Sequence, residues 1–506
     1  MNDTSADDDV ATLVGTGVPE LDRILGGGLT PDRVYLVEGT PGSGKTTLAL
    51  QFLIEGRAAG GKGLYVTLSE TKDELEASAR SHGWSLDGID IFELVAAEED
   101  LDADNQYTMF QPSEVELHVT TRAVLSEVER TGPSRIVFDS LSEVRLLAQN
   151  PLRFRRQVLA LKQFFTGRGY TVMLLDDKTS TADDFQLQSI AHGVISLEQL
   201  SPEYGAERRR LRVIKMRGRR YQGGYHDFTI ARGKTEVFPR LVAADHVRDF
   251  ERGLLGSGIA GLDALVGGGF DRGTSVLILG PAGVGKSSLA LQYARVAAAA
   301  GDRAAIFTFD ESLETMTRRM DGLGMPIEAP IAAGLLTVQP VDPAELSPGE
   351  FVHAVRRVVE PDGGAPGARV VIIDSLNGYL NAMPEERFLT IQLHELLTYL
   401  GHQGVVTFLI VAQHGILGAA MQTSLDMSHL ADSVVLFRYF ESRGEVRQAI
   451  SVVKKRSGAH ERTIREYAMG PRGIRIGEPL REFHGILTGT PMASAPEAVP
   501  RPQADR

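Results

Sequence analysis

The 506-residue chain carries one long internal repeat, and that repeat decides what it can fold into. Val14 to Ser43 reads VGTGVPELDRILGGGLTPDRVYLVEGTPGS, and Leu255 to Val284 reads LGSGIAGLDALVGGGFDRGTSVLILGPAGV. Both copies pass from a Leu-Asp pair to three glycines, then to an apolar run, then into a glycine loop. Lys45 and Lys286 hold matching places, as do Asp139 and Asp374, so one period spans almost half the chain. A solenoid repeat is far shorter, and a chain this long exceeds one hydrophobic core, so the repeat is a duplicated domain. The charged stretch from Arg232 to Gly253 marks the joint. The expected organisation is a disordered N-terminus over 1–12, a first domain over 13–245, a second over 246–487 and a Pro- and Ala-rich disordered tail over 488–506.

Each half alternates short apolar runs with stretches of helical spacing. Val34–Glu38, Gly63–Leu68, Arg135–Phe138 and Val172–Leu175 are near-continuous apolar runs, the pattern of parallel strands buried on both faces. Thr46–Arg57 places Leu50, Leu53 and Ile54 on one side of a helix. This alternation predicts an α/β fold, a mostly parallel sheet with helices on its faces. Beyond Ala191 the style changes. Val194–Leu200 and Arg209–Met216 flank a turn at Pro202–Gly205, which predicts an antiparallel hairpin ending the domain. The second half repeats it with Val434–Phe440 and Val446–Lys454 around Glu441–Gly444.

The glycine loops carry the strongest chemical signal. Gly39-Thr40-Pro41-Gly42-Ser43-Gly44-Lys45-Thr46-Thr47 follows a strand and opens a helix, and Gly280-Pro281-Ala282-Gly283-Val284-Gly285-Lys286-Ser287-Ser288 does the same. Such a P-loop curls backbone N–H groups around phosphate at a helix N-terminus. Its lysine reaches the β- and γ-phosphates, and the Thr or Ser hydroxyl after it ligates magnesium. Metal ligands are therefore expected at Thr46 and Ser287. They are joined by Asp139 and Asp374, which end apolar strands and can hold magnesium through its water shell. Asp also caps helices, which leaves that reading open for both. Glu70 and Glu311 stand at the same interval behind their lysines, preceded by Ser69 and Asp310. Glu70, Asp310 and Glu311 are the candidates for orienting an attacking water or hydroxyl, with helix capping again the alternative.

Composition bounds the partners. There is no cysteine, which excludes disulfides and Cys-ligated zinc. Lys and Arg number 53 against 66 Asp and Glu, a net charge of −13 that argues against nucleic acid as the ligand. The basic run Arg208–Arg220 alternates faces on its strand, and Lys454–His460 is its counterpart. Three readings stand side by side for these cations: a charge supplied to a neighbouring subunit's phosphates, a solvated face, or nucleic-acid binding. No apolar run is long enough to span a bilayer, and Met1–Asp9 lacks the character of a signal peptide, so a cytoplasmic protein is expected.

Together these features resemble the KaiC-type circadian-clock ATPases of the RecA-like P-loop class. The resemblance runs from about Val14 to Pro491. It rests on the two P-loops, their Leu-Asp and triple-glycine entries, Phe437–Gly444, Lys454–Glu466 and Gly485–Pro491. It implies two RecA-like domains that use ATP and Mg²⁺, and a homo-oligomer, a hexamer, with ATP at protomer interfaces. Lys215 and Arg217 in the first half, and Lys454, Arg456 and His460 in the second, fit the family's trans-acting basic motif. Family members also autophosphorylate a Ser/Thr pair, which falls here on Ser428 and His429, making Ser428 the phosphosite candidate. There are departures. Tyr221 stands where a histidine is usual, and Ser69 and Asp310 each replace the first of the family's paired glutamates.

The resulting expectation is an ATP-hydrolysing ring protein and autokinase acting as a signalling or regulatory switch on a protein partner. Its rivals are a RecA-like recombination or repair ATPase and a scaffold that binds ATP only to assemble. Because Asp310 and Glu311 are both carboxylates whereas Ser69 is not, the second half is expected to carry most of the hydrolysis.

Overall fold

The computed structural model describes residues 12–94, 112–178, 184–202, 204–361, 364–381, 388–413, 428–487 and 492–493. The ends expected to be disordered lie outside these residues, apart from residues 12 and 492–493. The chain divides into two compact units, Met1–Arg240 and Leu241–Arg506. The division falls just before the joint expected at 245. Residues Ala243–His246 form a single turn whose Ala243 N–H donates to Glu395 and whose Ala243 carbonyl is bonded by His402, both on a helix of the second unit.

In the first unit nine strands form one sheet: β1 (Val34–Gly39), β2 (Gly63–Thr67), β3 (Ile89–Glu93), β4 (Arg135–Asp139), β5 (Thr171–Asp177), β6 (Gly193–Leu200), β7 (Arg208–Met216), β8 (His226–Ala231) and β9 (Lys234–Phe238). Their order is β3-β2-β4-β5-β1-β6-β7-β8-β9. The strands from β3 through β6 pair in parallel, and β7, β8 and β9 follow antiparallel. The second unit opens with a small ribbon, β10 (Leu254–Leu255) and β11 (Phe270–Asp271). Its sheet then repeats the first: β12 (Ser275–Gly280), β13 (Ala304–Thr308), β14 (Leu336–Pro340), β15 (Val370–Asp374), β16 (Val406–Ala412), β17 (Ser433–Ser442), β18 (Glu445–Lys455), β19 (Arg465–Gly470) and β20 (Gly473–Pro479). The order β14-β13-β15-β16-β12-β17-β18-β19-β20 is that of the first sheet, strand for strand.

The central strands are buried on both faces because their side chains alternate between two cores. Tyr35 and Val37 of β1 pack with the helix Lys45–Ala58, while Val34 and Leu36 pack with Phe154 and Phe165 on the other face. In β12, Val276 and Ile278 meet the helix Lys286–Ala299, and Leu277 meets Phe351 and Leu393. The helix after each P-loop is therefore wedged against the sheet and buried on most sides, which fixes its N-terminus at the end of the central strand. Among the described residues no helix is long and apolar enough to cross a membrane.

The hairpins expected from sequence are present as β6–β7 and β17–β18. Two more antiparallel strands extend each, and one of them holds a buried titrating group. His226 in β8 is fully buried; its Nδ1 accepts the Arg240 N–H at 2.9 Å and its Nε2 lies 3.2 Å from the Gln222 carbonyl. Burial pushes its pKa from the ordinary 6.5 to about 4, opposed by the Gln222 bond. The unfolded chain thus takes up a proton near pH 6.5 that the folded chain refuses until about pH 4. Stability from neutral His226 is complete above pH 6.5 and is lost as the pH falls toward 4. Urea unfolding of the first domain is expected to show a loss of about 3 kcal/mol across this window, and His226→Gln should flatten it.

Candidate active sites

Each site begins with a glycine whose left-handed backbone an L residue adopts only with strain. Gly44 and Gly285 precede their helices with φ of 97° and 99°. A Cβ on Gly44 would lie 2.7 Å from Ile230 of β8, and one on Gly285 would lie 2.5 Å from Met469 of β19. The left-handed residue turns the chain sharply from strand to helix, so the N–H groups of the first turn face the concave side of the loop. Lys45 Nζ is held by the Gly39 and Thr40 carbonyls at 2.9 and 3.0 Å, and Lys286 Nζ by those of Gly280 and Pro281 at 2.9 and 2.8 Å. Both lysines are buried, and burial pushes Lys286 down to about 8.

Opposite each lysine stands the expected aspartate, and the geometry removes the capping reading. Thr46 Oγ1 lies 3.4 Å from Asp139 Oδ2, which also accepts the Tyr65 hydroxyl. Ser287 and Asp374 stand together on the wall of the second site, where the Ser287 hydroxyl favours the charged carboxylate. Neither aspartate caps a helix; Ser140 occupies that place after β4. Burial raises the pKa of Asp139 and of Asp374, and the hydroxyl bonds pull the other way. Among the described residues no group of three His, Asp or Glu side chains could hold a metal alone. One hydroxyl and one carboxylate, both hard oxygen donors, suit an ion that takes its remaining oxygens from phosphate and water, which is how magnesium is usually bound.

Capping is also settled for the glutamates. The helix Lys72–Ser81 is capped by Thr71, whose hydroxyl accepts the Glu74 N–H, and the helix Leu313–Gly322 by Ser312. Glu311 lines the cavity of the second site, and Glu70 lies near enough to Asp139 to feel its charge in the first. Burial raises the pKa of Glu70, helped by the charges of Asp139 and Glu74, which makes it a stronger base. The second site opens as a cavity of about 480 Å³ walled by Lys286, Ser287, Asp310, Glu311, Arg319 and Asp374.

Four partners here escaped the sequence. Tyr65 on β2 binds Asp139 across neighbouring strands. Asp177, at the end of β5, pairs with Lys45 at 2.8 Å. In the second half Ser375 holds Asp310 at 2.9 Å, and Arg319 closes on Glu311. Asp177 was visible as an acidic strand end like Asp139; the others needed the fold.

The basic residues lie elsewhere. β7 runs against β1, so Lys215, level with Val194 and hence with Leu36, sits toward the start of β1 and not at its P-loop end. Lys215 Nζ donates to the Gln188 carbonyl and Arg217 to that of Ser189. Burial, then Arg217 and Lys162, pushes the Lys215 pKa down. Lys454 is likewise level with Val434 and Leu277, and it donates to the Ser428 and Ala431 carbonyls at 2.6 Å each. Arg456 donates to the His429 carbonyl and pairs with Asp432, and His460 follows in the same loop, half-buried. Upstream on β7, Arg210 pairs with Glu198 and, like Arg212, lies over the Tyr225 ring. That use of the arginines weighs against a nucleic-acid face.

Two P-loops on parallel sheets, each with a hydroxyl–carboxylate pair and a following glutamate, define a tandem P-loop ATPase. The sequence model of the family described as ATPase: KaiC matches residues 14–242 and again 255–481. The chain belongs to this KaiC ATPase family. It is 28% identical over 497 residues to the circadian clock protein KaiC3 of Synechocystis sp., covering 96% of each chain. It is 26% identical over 484 residues to the circadian clock oscillator protein KaiC of Thermostichus vulcanus, covering 94% of this chain and 91% of that one. The KaiC of Synechococcus elongatus is 26% identical over 482 residues.

Lys45→Ala and Lys286→Ala are each expected to abolish tight ATP binding in their own half. Titration with a fluorescent ATP analogue should give half the stoichiometry for either variant, and no binding at micromolar concentration for the pair. Full stoichiometry in the double variant would refute the assignment.

Proposed function

We propose that both halves bind ATP with magnesium and hydrolyse it, that ATP joins copies of the chain into a homohexameric ring, and that the ring serves as a signalling or regulatory switch acting on a protein partner. The observation that carries this reading is repetition: lysine, hydroxyl, aspartate and glutamate recur on the same strand ends of two independent sheets. Magnesium, held by Thr46 with Asp139 and by Ser287 with Asp374, supplies positive charge to the β- and γ-phosphate oxygens when bound. Lys45 and Lys286 hold the same phosphates from the loop side. Glu70 and Glu311 orient the attacking water and take up its proton.

The cations at the far end of each sheet support the oligomer. Lys215 and Arg217 lie away from the P-loop of their own half; burial is the main cause of the lowered Lys215 pKa, and the positive charge that Arg217 and Lys162 concentrate beside it adds to the shift. A neighbour's phosphates would compensate that charge. Ser428, whose carbonyl binds Lys454, lies at this same end, so phosphoryl transfer to it would come from a neighbour's second site. We include this autokinase step in the proposal.

ATP with magnesium is expected to shift the chain from monomer to hexamer in sizing chromatography at tens of micromolar protein, because binding at a boundary stabilises the assembly. A monomer under both conditions would refute the ring. Glu70→Gln together with Glu311→Gln should lower ATP turnover by about 10²–10⁴-fold, the usual worth of general-base assistance. After incubation with ATP, phosphopeptide mapping should find phosphate on Ser428; its absence from every Ser and Thr would remove the autokinase step and leave the ATPase.

A further inference from the structure

Among the side chains at which the two sites differ, one touches the glutamate itself. Glu70 and Glu311 each lead into a helix, Lys72–Ser81 and Leu313–Gly322. At matching places on these helices stand Ser78 and Arg319. The Arg319 fork closes on the carboxylate: Nε donates to Glu311 Oε1 at 2.9 Å and Nη2 to Oε2 at 2.7 Å. Its remaining nitrogen, Nη1, donates to Ser288 Oγ at 2.5 Å, on the first turn of the P-loop helix. The pair is mostly shielded, with the side chains 27% and 22% exposed. Arg319 also walls the cavity that holds Lys286, Ser287 and Asp374. Among the described residues no arginine pairs with Glu70.

We propose that Arg319 is a positioning residue that restrains Glu311, holding its carboxylate against the P-loop helix and slowing hydrolysis in the second site. The proposal rests on the reading of Glu311 as the carboxylate that orients water. A carboxylate with both oxygens engaged by a guanidinium must give up a charge-assisted bond before it accepts a proton from water. The same fork matches phosphate geometry. It therefore has two anionic partners within one cavity, and a γ-phosphate competes with Glu311 for it. This inverts the division of labour suggested by counting carboxylates. Asp310 and Glu311 are both present, but Asp310 is bonded by Ser375 and Glu311 by Arg319. Glu70 is half-buried, its pKa raised by that burial and by the charges of Asp139 and Glu74, and it has no such clamp.

The test uses the full chain carrying Lys45→Ala, so that the second site alone binds nucleotide, with Arg319→Ser, the first half's residue, and Arg319→Lys. Kd for a fluorescent ATP analogue is measured with KM and kcat. For Arg319→Ser, Kd and KM should rise about tenfold, the worth of roughly one charge-assisted bond. Its kcat should rise by about tenfold, part of the roughly 10²–10⁴-fold that general-base assistance supplies. Arg319→Lys keeps the charge but not the fork, so KM should stay near the parent value while kcat rises. Adding Glu311→Gln should cancel either gain. A kcat that is unchanged or lower in both variants, with binding intact in the parent, overturns the proposal and leaves the ATPase reading standing. Failure of the Lys45→Ala parent to bind the analogue would overturn both.

Discussion

The left-handed glycine at the mouth of each helix is the constraint on which the sites depend. Gly44 and Gly285 swing the chain through a turn that no L residue makes without strain, and that turn puts a buried lysine directly under the loop. Side chains of β8 and β19 crowd the same places: a Cβ there would meet the flexible tips of Ile230 and Met469 at 2.7 and 2.5 Å, and these would have to shift. Other loop glycines meet the outgoing strands in the same way. A Cβ on Gly39 would strike the Leu197 carbonyl of β6, and one on Gly280 would strike Phe437 of β17. β6 and β8 in the first sheet, and β17 and β19 in the second, thus pack against the glycine loops, although none of their residues belongs to the motif.

Much of this was legible in the sequence, for reasons that differ from part to part. The P-loops, the strand-end aspartates and the glutamates are local: a few consecutive residues contain both the element and its chemistry. The hairpins announced themselves by a change of pattern after Ala191. The outer strands did not. β3, at one edge of its sheet, reads Ile-Asp-Ile-Phe-Glu, and β19, one strand in from the far edge of the other, reads Arg-Glu-Tyr-Ala-Met-Gly; both are short and half polar because each buries only one of its side chains fully. The side chains that finish the sites were hidden for another reason. Tyr65, Asp177 and Arg319 touch their partners across strands or from a helix, so only the fold brings them together. The capping alternative for Glu70 and Glu311 fell to neighbours, Thr71 and Ser312, that were in plain view.

The two halves share a topology but have drifted in their interiors. Glu38 and Asp176 face each other in register on β1 and β5, 3% and 2% exposed. Arg145 pairs with Asp176 at 2.7 Å, and Gln188 donates to Glu38. The same register in the second half brings Leu279 beside Val411. A buried polar network demands that every member stay bonded, whereas an apolar pair tolerates small movements. The C-terminal ends of the first sheet's strands are therefore tied more specifically than those of the second. With Arg319 present only in the second half, the duplicated scaffold now holds two chemically distinct sites.

The direction of β7 and β18 carries a consequence for symmetry. The P-loops stand at one end of each sheet, and the basic residues Lys215 and Lys454 lie toward the other, on unlike surfaces. A contact that uses both must join the front of one copy to the back of the next. A two-fold dimer presents the same patch on both sides and cannot do this. A front-to-back contact leaves one free front and one free back however many copies are added, until the rotation between neighbours brings the last onto the first. Copy number would then be set by an angle, and a small change in that angle would turn a closed ring into an open spiral.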